Sequence, residues 1–266
     1  MKPNRKPKLA TVVNTFELSE NMQRVVLQGE DFKSLQTTDL GDYIKLMFHP
    51  EGHTDISTLG EGERPVMRTY TISELDLDNG QFAVDFVKHQ VGGKQNIITQ
   101  EQGGYAIHWA MKAKVGDTIS IGGPGNSPII DLNAEQVFMV ADMTAIPAIT
   151  EKLNTLNQST TGHAVVQLSS AQDNPNWNLP TGMQLHTIVG HQPSQLSDAV
   201  TQLSIENEDV AIWCACEFTA MKAIRTHFNQ YNVIQREKSY FSSYWKQGVT
   251  EDGHKVIKRE DAESLS

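Results

Sequence analysis

The hydrophobic rhythm changes once along this chain, and that change limits the fold more than any other feature. In the first half, short alternating segments recur at residues 11–16, 22–27, 43–48, 67–72, 82–87 and 118–121. Period-two alternation separated by Gly, Asp, Asn and Pro reads as half-buried strands. Asp78-Asn79-Gly80 between two of them is a hairpin turn signal. Six such strands suggest a small antiparallel barrel. Residues 49–65 are polar and glycine-bearing and read as a surface loop. In the second half, residues 137–141 and 210–214 are continuous apolar runs, as in strands buried on both faces. Further strands at 164–168 and 185–189 alternate with helices at 144–156, 193–203 and 219–228. Strand–helix alternation implies a parallel α/β sheet. The expected fold is a six-stranded antiparallel barrel at 1–130 followed by a parallel α/β nucleotide-binding-type domain at 131–266, with the boundary near residues 128–133. The tail from 250 to 266 is expected to be mobile or to cap the second domain.

Bulk properties remove several function classes. The net charge of −10 argues against nucleic acid or an anionic membrane as partner. No apolar run approaches the ~18 residues of a membrane span. Lys2, Arg5, Lys6 and Lys8 are followed by a stretch broken by Thr11, Asn14, Thr15 and Glu17, unlike a signal peptide. A cytoplasmic location and a monomer are expected. Cys214 and Cys216 are poorly spaced for bridging each other, and two ligands do not make a metal site. His53, His163, His186 and His191 are scattered, so no metal site is expected.

Arg68-Thr69-Tyr70-Thr71 puts a cation, an aromatic plane and a small hydroxyl on one strand. Guanidinium suits a phosphate, a tyrosine ring suits a flat heterocycle, and a threonine hydroxyl can bond a ring nitrogen. The set fits a flavin nucleotide. Asp85-Phe86-Val87-Lys88-His89 lies one hairpin further on. Gly103-Gly104 before Tyr105, Ala106, Ile107, His108 and Trp109 reads as a loop opening a helix, where backbone N–H groups suit a pyrophosphate. Asp142-Met143-Thr144-Ala145 falls where the first parallel strand ends, the ligand-binding edge of such sheets. It lacks the Gly-x-Gly-x-x-Gly fingerprint, and Asp142 or Thr144 also suits a helix cap.

In this order, with Gly116 to Pro124 and Tyr244-Trp245-Lys246-Gln247-Gly248, these segments resemble the siderophore-interacting protein family of the ferredoxin–NADP reductase superfamily. The resemblance spans roughly residues 8 to 248. It implies an FAD-dependent reductase of ferric siderophores, supplied by NAD(P)H or reduced ferredoxin and releasing Fe(II). It also implies site roles. Arg68 would lie at the FAD phosphates, Tyr70 on the isoalloxazine or ribityl region, and Thr71 near the ring edge. The backbone of Asp85, Phe86 and Val87 would follow the polar edge of the ring, with His89 on the adenosine or phosphate side. Ala106, His108 and Trp109 would contact the pyrophosphate. Asp142, Thr144 and Ala145 would approach from the second domain, and Tyr244 and Trp245 would cover the ring. Lys246 is the first choice for contacting an anionic chelate, ahead of Arg225, Arg236 and Lys238. No acid–base dyad is needed and none is found. Tyr105-Ala106-Ile107-His108 stands where members usually carry Pro-Ala-Ser, and Cys216-Glu217 where they carry Gly-Glu. Two other classes stay open: a general flavin or ferric reductase, and a non-catalytic siderophore- or heme-binding module.

Overall fold

The structure, a computed structural model, describes residues 6–88 and 104–264. His89 and Gly103, both singled out in the sequence, lie outside the described residues. Contacts divide the chain into two compact units, Met1–Ser127 and Pro128–Ser266.

The first unit is a closed antiparallel barrel of six strands. They are β1 (Lys8–Ser19), β2 (Met22–Gln28), β3 (Tyr43–Phe48), β4 (Val66–Asp76), β5 (Gln81–Val87) and β6 (Thr118–Gly125), ordered β1-β2-β5-β4-β3-β6. Their inward positions carry the alternating apolar residues. Leu27, Ile44, Leu46, Phe48, Ile72, Phe82, Phe86, Ile119 and Ile121 are essentially inaccessible. A six-residue helix, α1 (Tyr105–Ala110), adds Ala106, Ile107 and Ala110 to this core. The β4–β5 hairpin turns at Gly80, whose φ of +62° lies in the left-handed region. That conformation is why glycine follows Asp78-Asn79.

One seam of the closed barrel, between β4 and β5, has a short ladder. The β4–β5 ladder runs from Asp76↔Gln81 to Ile72↔Val84 and stops there. Beyond it, residues 66–71 pair with β3 and residues 85–87 with β2. Among the described residues the two strands therefore part beyond Ile72↔Val84, which leaves a splay between them. Next to the splay, Arg24 on β2 is held by two carboxylates. Its Nε donates to Asp85 Oδ1 at 2.6 Å, its Nη2 donates to Asp85 Oδ2 at 2.8 Å, and its Nη1 pairs with Glu74. Arg24 and Asp85 are both buried.

The second unit is a five-stranded parallel sheet of order β11-β10-β7-β8-β9. Its strands are β7 (Gln136–Asp142), β8 (Thr161–Leu168), β9 (Gly182–Val189), β10 (Val210–Glu217) and β11 (Ser239–Trp245). Every residue of β7 and β10 is buried, which matches their continuous apolar sequence. The helices are α2 (Ile146–Asn154), α3 (Pro193–Thr201), α4 (Phe218–Gln230) and α5 (Glu251–Glu263). Pro147 and Pro193 stand in the first turns of α2 and α3, where no backbone donor is lost. Gly162 allows β8 to approach β7 closely. A Cβ there would lie 2.0 Å from Val137 O.

The tail is ordered from 250 to 264 as α5, and it caps the unit rather than moving freely. Thr250 caps its N-terminus, accepting from Gly253 N at 3.3 Å. Arg225 makes a two-pronged pair with Asp261 at 2.9 and 2.8 Å, and Ser243 Oγ lies 2.8 Å from His254 Nε2. His254 is buried.

Two stability predictions follow from these buried pairs. Asp85→Ala removes the two-pronged, buried partner of Arg24, leaves it only the exposed carboxylate of Glu74 of these two acids, and is expected to cost about 3 kcal/mol in urea denaturation. Replacing both partners, Arg24→Met with Asp85→Leu, should recover most of that loss. For His254, burial and the positive charges of Lys258, Lys246 and Lys255 outweigh Glu217 and depress its pKa to about 4. The unfolded chain therefore takes up this proton near pH 6.5 and the folded chain only near pH 4. The contribution is complete above pH 6.5 and lost as pH falls, by roughly 3 kcal/mol in all. The thermal midpoint of the wild type should drop more steeply between pH 6.5 and 4 than that of His254→Gln.

Candidate functional site

The Arg68–Thr71 tetrad lies on β4, on the splayed side of the seam. Arg68 is buried, donates from Nη1 to Met67 O at 3.0 Å, and sits 5.1 Å from the centroid of the Tyr105 ring. Tyr70 is half-buried and tilts against Phe86, with centroids 4.5 Å apart. Thr69 is exposed, whereas Thr71 is buried where the strand enters the closed ladder. Across the seam, the Phe86 side chain belongs to the core and the Asp85 carboxylate is taken by Arg24. Only the backbone of 85–87 is turned to the seam.

Helix α1 lies beside β5 and begins after Gly104, with no side chain capping it. Ala106 is buried. His108 Nε2 lies 3.0 Å from Lys112 Nζ. Trp109 is wedged edge-on between Phe48 and Phe86, at 6.3 and 5.9 Å between centroids. The barrel thus collects Arg68, Tyr70, Tyr105 and Trp109 beside the splay, a cationic and aromatic set packed on the buried Phe86. These groups fit a flavin nucleotide: donors and acceptors for a polar ring edge, aromatic surface for a planar ring, and a guanidinium for phosphate.

In the second unit, strand order reverses between β7 and β10, and ligands bind open α/β sheets at such a point. Asp142 ends β7 there. Its Oδ1 accepts from Thr144 N at 2.9 Å and Thr144 Oγ1 at 2.5 Å. Its Oδ2 accepts from Glu217 N at 2.8 Å and Trp245 Nε1 at 2.7 Å. Burial pushes the Asp142 carboxyl up, and these four donors oppose the shift. Glu217 ends β10 and caps α4. Its Oε2 accepts from Thr219 N at 2.5 Å and Ala220 N at 3.2 Å, and its Oε1 from Gln247 N at 3.1 Å. One extra residue in β11 opposite Cys216/Glu217 makes this possible. The bulge, at Tyr244, brings the Trp245 indole back to Asp142. Burial also pushes the Tyr244 phenol well above its usual range. Ala145 is buried and Thr144 half-buried.

Asp142, Thr144 and Trp245, picked separately in the sequence, therefore form one node, and Glu217 completes it. The Cys216-Glu217 substitution in the family pattern was the only sequence signal for Glu217. Cys214 and Cys216 are buried thiols with Sγ atoms 3.9 Å apart, in the core shared with α3 and α4. Of the proposed anion contacts, Lys246 Nζ lies 4.8 Å from the Phe218 ring centroid and Arg236 is exposed. Arg225 and Lys238 are committed elsewhere, to Asp261 and, at 2.5 Å, to Asp209. A third cluster escaped the sequence reading altogether. His53 lies against His49 and Glu51, in the connection between β3 and β4.

A closed barrel with an aromatic, cationic seam, followed by a parallel sheet knotted at its switch point, is the architecture of a two-domain flavoprotein oxidoreductase. The comparisons narrow the class. Residues 11–128 match the siderophore-interacting FAD-binding domain, and residues 134–248 match the siderophore-interacting protein model. The chain belongs to the siderophore-interacting protein family, and its first unit is that family's FAD-binding domain. The crystal structure of the siderophore-interacting protein SipS from Aeromonas hydrophila superimposes with a TM-score of 0.81 at 26% identity, covering 98% of this chain and 100% of that one. The ferric vibriobactin reductase ViuB of Vibrio cholerae is 28% identical over 264 residues, 93% of this chain and 92% of its own. The NADPH-dependent ferric-chelate reductase of Escherichia coli is 28% identical over 247 residues, 88% of this chain and 91% of its own.

Proposed function

We propose that this chain is an FAD-dependent reductase of ferric siderophores, with NADPH as donor. The observation that carries this reading is the splayed β4–β5 seam lined by the Arg68–Thr71 tetrad. Relatives named as a ferric vibriobactin reductase and an NADPH-dependent ferric-chelate reductase, matched over nearly their whole length, support it. FAD, when bound, supplies exchange between a two-electron hydride donor and one-electron iron. By balance, one NADPH reduces two ferric ions and releases one proton. Ferric siderophores grip iron through hard oxygen donors, and the softer Fe(II) is held less tightly.

The residues of the chain position and shield. Arg68, fixed by the Met67 carbonyl and the Tyr105 ring, presents its charge to the FAD phosphates. Tyr70 and Thr71 meet the ring system and its edge, and the backbone of Asp85–Val87 follows the polar edge. Ala106, His108 and Trp109 flank the pyrophosphate. Trp109 also keeps Phe86 and Phe48 in place through its edge-on packing. Asp142 and Glu217 spend their lone pairs within the second unit. We assign them to holding the loops after β7, β10 and β11, not to gripping a ribose. Thr144, Tyr244 and Trp245, half-buried over the buried Ala145, are then the second unit's contacts for nicotinamide. Lys246 is the anion contact for the chelate. Thiols at Cys214 and Cys216 suit a reducing, cytoplasmic setting. No helix among the described residues is long and apolar enough to cross a membrane. Reduced ferredoxin is the alternative donor, and a monomer remains the proposed state.

Anaerobic stopped-flow absorbance tests the reading. NADPH should bleach the flavin of the purified protein, and a ferric siderophore should restore the colour. A protein that binds no flavin overturns the proposal, and flavin that NADPH leaves oxidised moves the donor to ferredoxin. Arg68→Ala should weaken FAD binding about 10- to 100-fold in a fluorescence titration, the loss expected for a charge-assisted hydrogen bond. Lys246→Ala should slow turnover of an anionic ferric chelate more than of a neutral one. An equal fall for both removes Lys246 from substrate binding.

A further inference from the structure

We propose that His49, Glu51 and His53 form a binding site for one divalent first-row transition-metal cation, with ferrous iron as its occupant. The existence of the site stands on geometry, whereas the ferrous assignment rests on the reductase reading above.

The sequence His49-Pro50-Glu51-Gly52-His53 leaves β3 and immediately turns back on itself. His49 N donates to His53 O at 2.8 Å, and Gly52 N donates to His49 O at 2.8 Å. Gly52 takes a φ of +96°, which only glycine adopts without strain. Positions 49, 51 and 53 share one face of an extended chain, and the turn draws them together along it. The two imidazoles stack at 4.2 Å and 13°, and one atom from each of the three side chains falls within 4.8 Å of the others. Glu51 Oε2 lies 3.9 Å from His49 Nδ1 and 3.6 Å from His53 Nε2. Ligands bound at about 2.1 Å in tetrahedral or octahedral geometry stand about 3 to 3.5 Å apart. The cluster needs only side-chain rotation of the exposed Glu51 and His53 to close on a cation.

The frame is already built. His49 is buried beside the barrel core, and the Tyr105 hydroxyl donates to Pro50 O at 2.9 Å. The same Tyr105 ring packs under the Arg68 guanidinium. Glu51 N donates to His49 Nδ1 at 3.2 Å, so the lone pair of the imidazole is at Nδ1, on the side of the cluster. A cation would take that lone pair in place of the amide. Two imidazoles and one carboxylate on one face leave further positions open, the donor set that suits Fe(II) and other borderline cations. Siderophore oxygens prefer Fe(III), so reduction shifts iron toward nitrogen donors of this kind. With side-chain exposures of 44% for His53 and 77% for Glu51, the site allows ready exchange rather than storage.

Isothermal titration of the tag-free, full-length flavoprotein with zinc chloride tests the site. Ferrous ammonium sulfate is then added anaerobically as competitor. One equivalent of Zn²⁺ should bind with micromolar affinity, Fe²⁺ should compete for it, and His53→Ala and Glu51→Gln should each weaken binding by at least about tenfold. Both substituted side chains are exposed, and flavin content with thermal melting checks the fold of each variant. No saturable heat, or binding unchanged in the double variant, overturns the site. Zn²⁺ binding without competition from Fe²⁺ overturns the ferrous assignment. Ferric-chelate reduction is measured on the same samples. Its absence alongside intact, variant-sensitive Zn²⁺ binding would sink the reductase reading and the ferrous assignment, and keep the cation site.

Discussion

The Asp142 carboxylate is the interaction on which the second unit depends. It sits where β7 ends and receives donors from the turn after its own strand, from the end of β10 and from the end of β11. A buried carboxylate with fewer partners would be costly. Four donors make it the common anchor of three loops. Glu217 repeats the device one strand away, capping α4 and fixing Gln247 N. The two carboxylates thus set the shape of the switch point from inside, and the neighbouring Thr144 and Trp245 are held in place by Asp142.

The first unit solves a different problem. Here the ladder between β4 and β5 stops at Ile72↔Val84, and the buried Arg24–Asp85 pair lies beside the splay. Asp85 was expected in the sequence as part of a cofactor edge. Its side chain serves the barrel and only its backbone faces the seam.

Much of this was legible in the sequence because it depends on local rhythm. Period two at 11–16 or 82–87 is enough to name a strand, and the unbroken apolar runs at 137–141 and 210–214 are enough to bury one. What escaped depends on long-range or turn geometry. Nothing near Arg24 announces a partner 61 residues away. The basic and acidic residues after 250 look like a solvated tail, because the partners that order them, Arg225 and Ser243, lie on α4 and β11. His53 looked isolated because only the Gly52 turn folds it onto His49. The tetrad and Trp109 were found as residues, yet their shared setting around one seam needed the pairing registers.

The split ladder also makes the folded population a matter of vitamin supply. A flavin nucleotide held by the FAD-binding domain binds the folded chain and has nothing comparable to hold in the unfolded one. Its free concentration therefore adds directly to stability, by RT ln(1 + [L]/Kd). A cell short of riboflavin would keep less of this protein intact, since unfolded chains are steadily removed by proteases. The iron reduction proposed for this chain would then fall with flavin status, with no change in transcription.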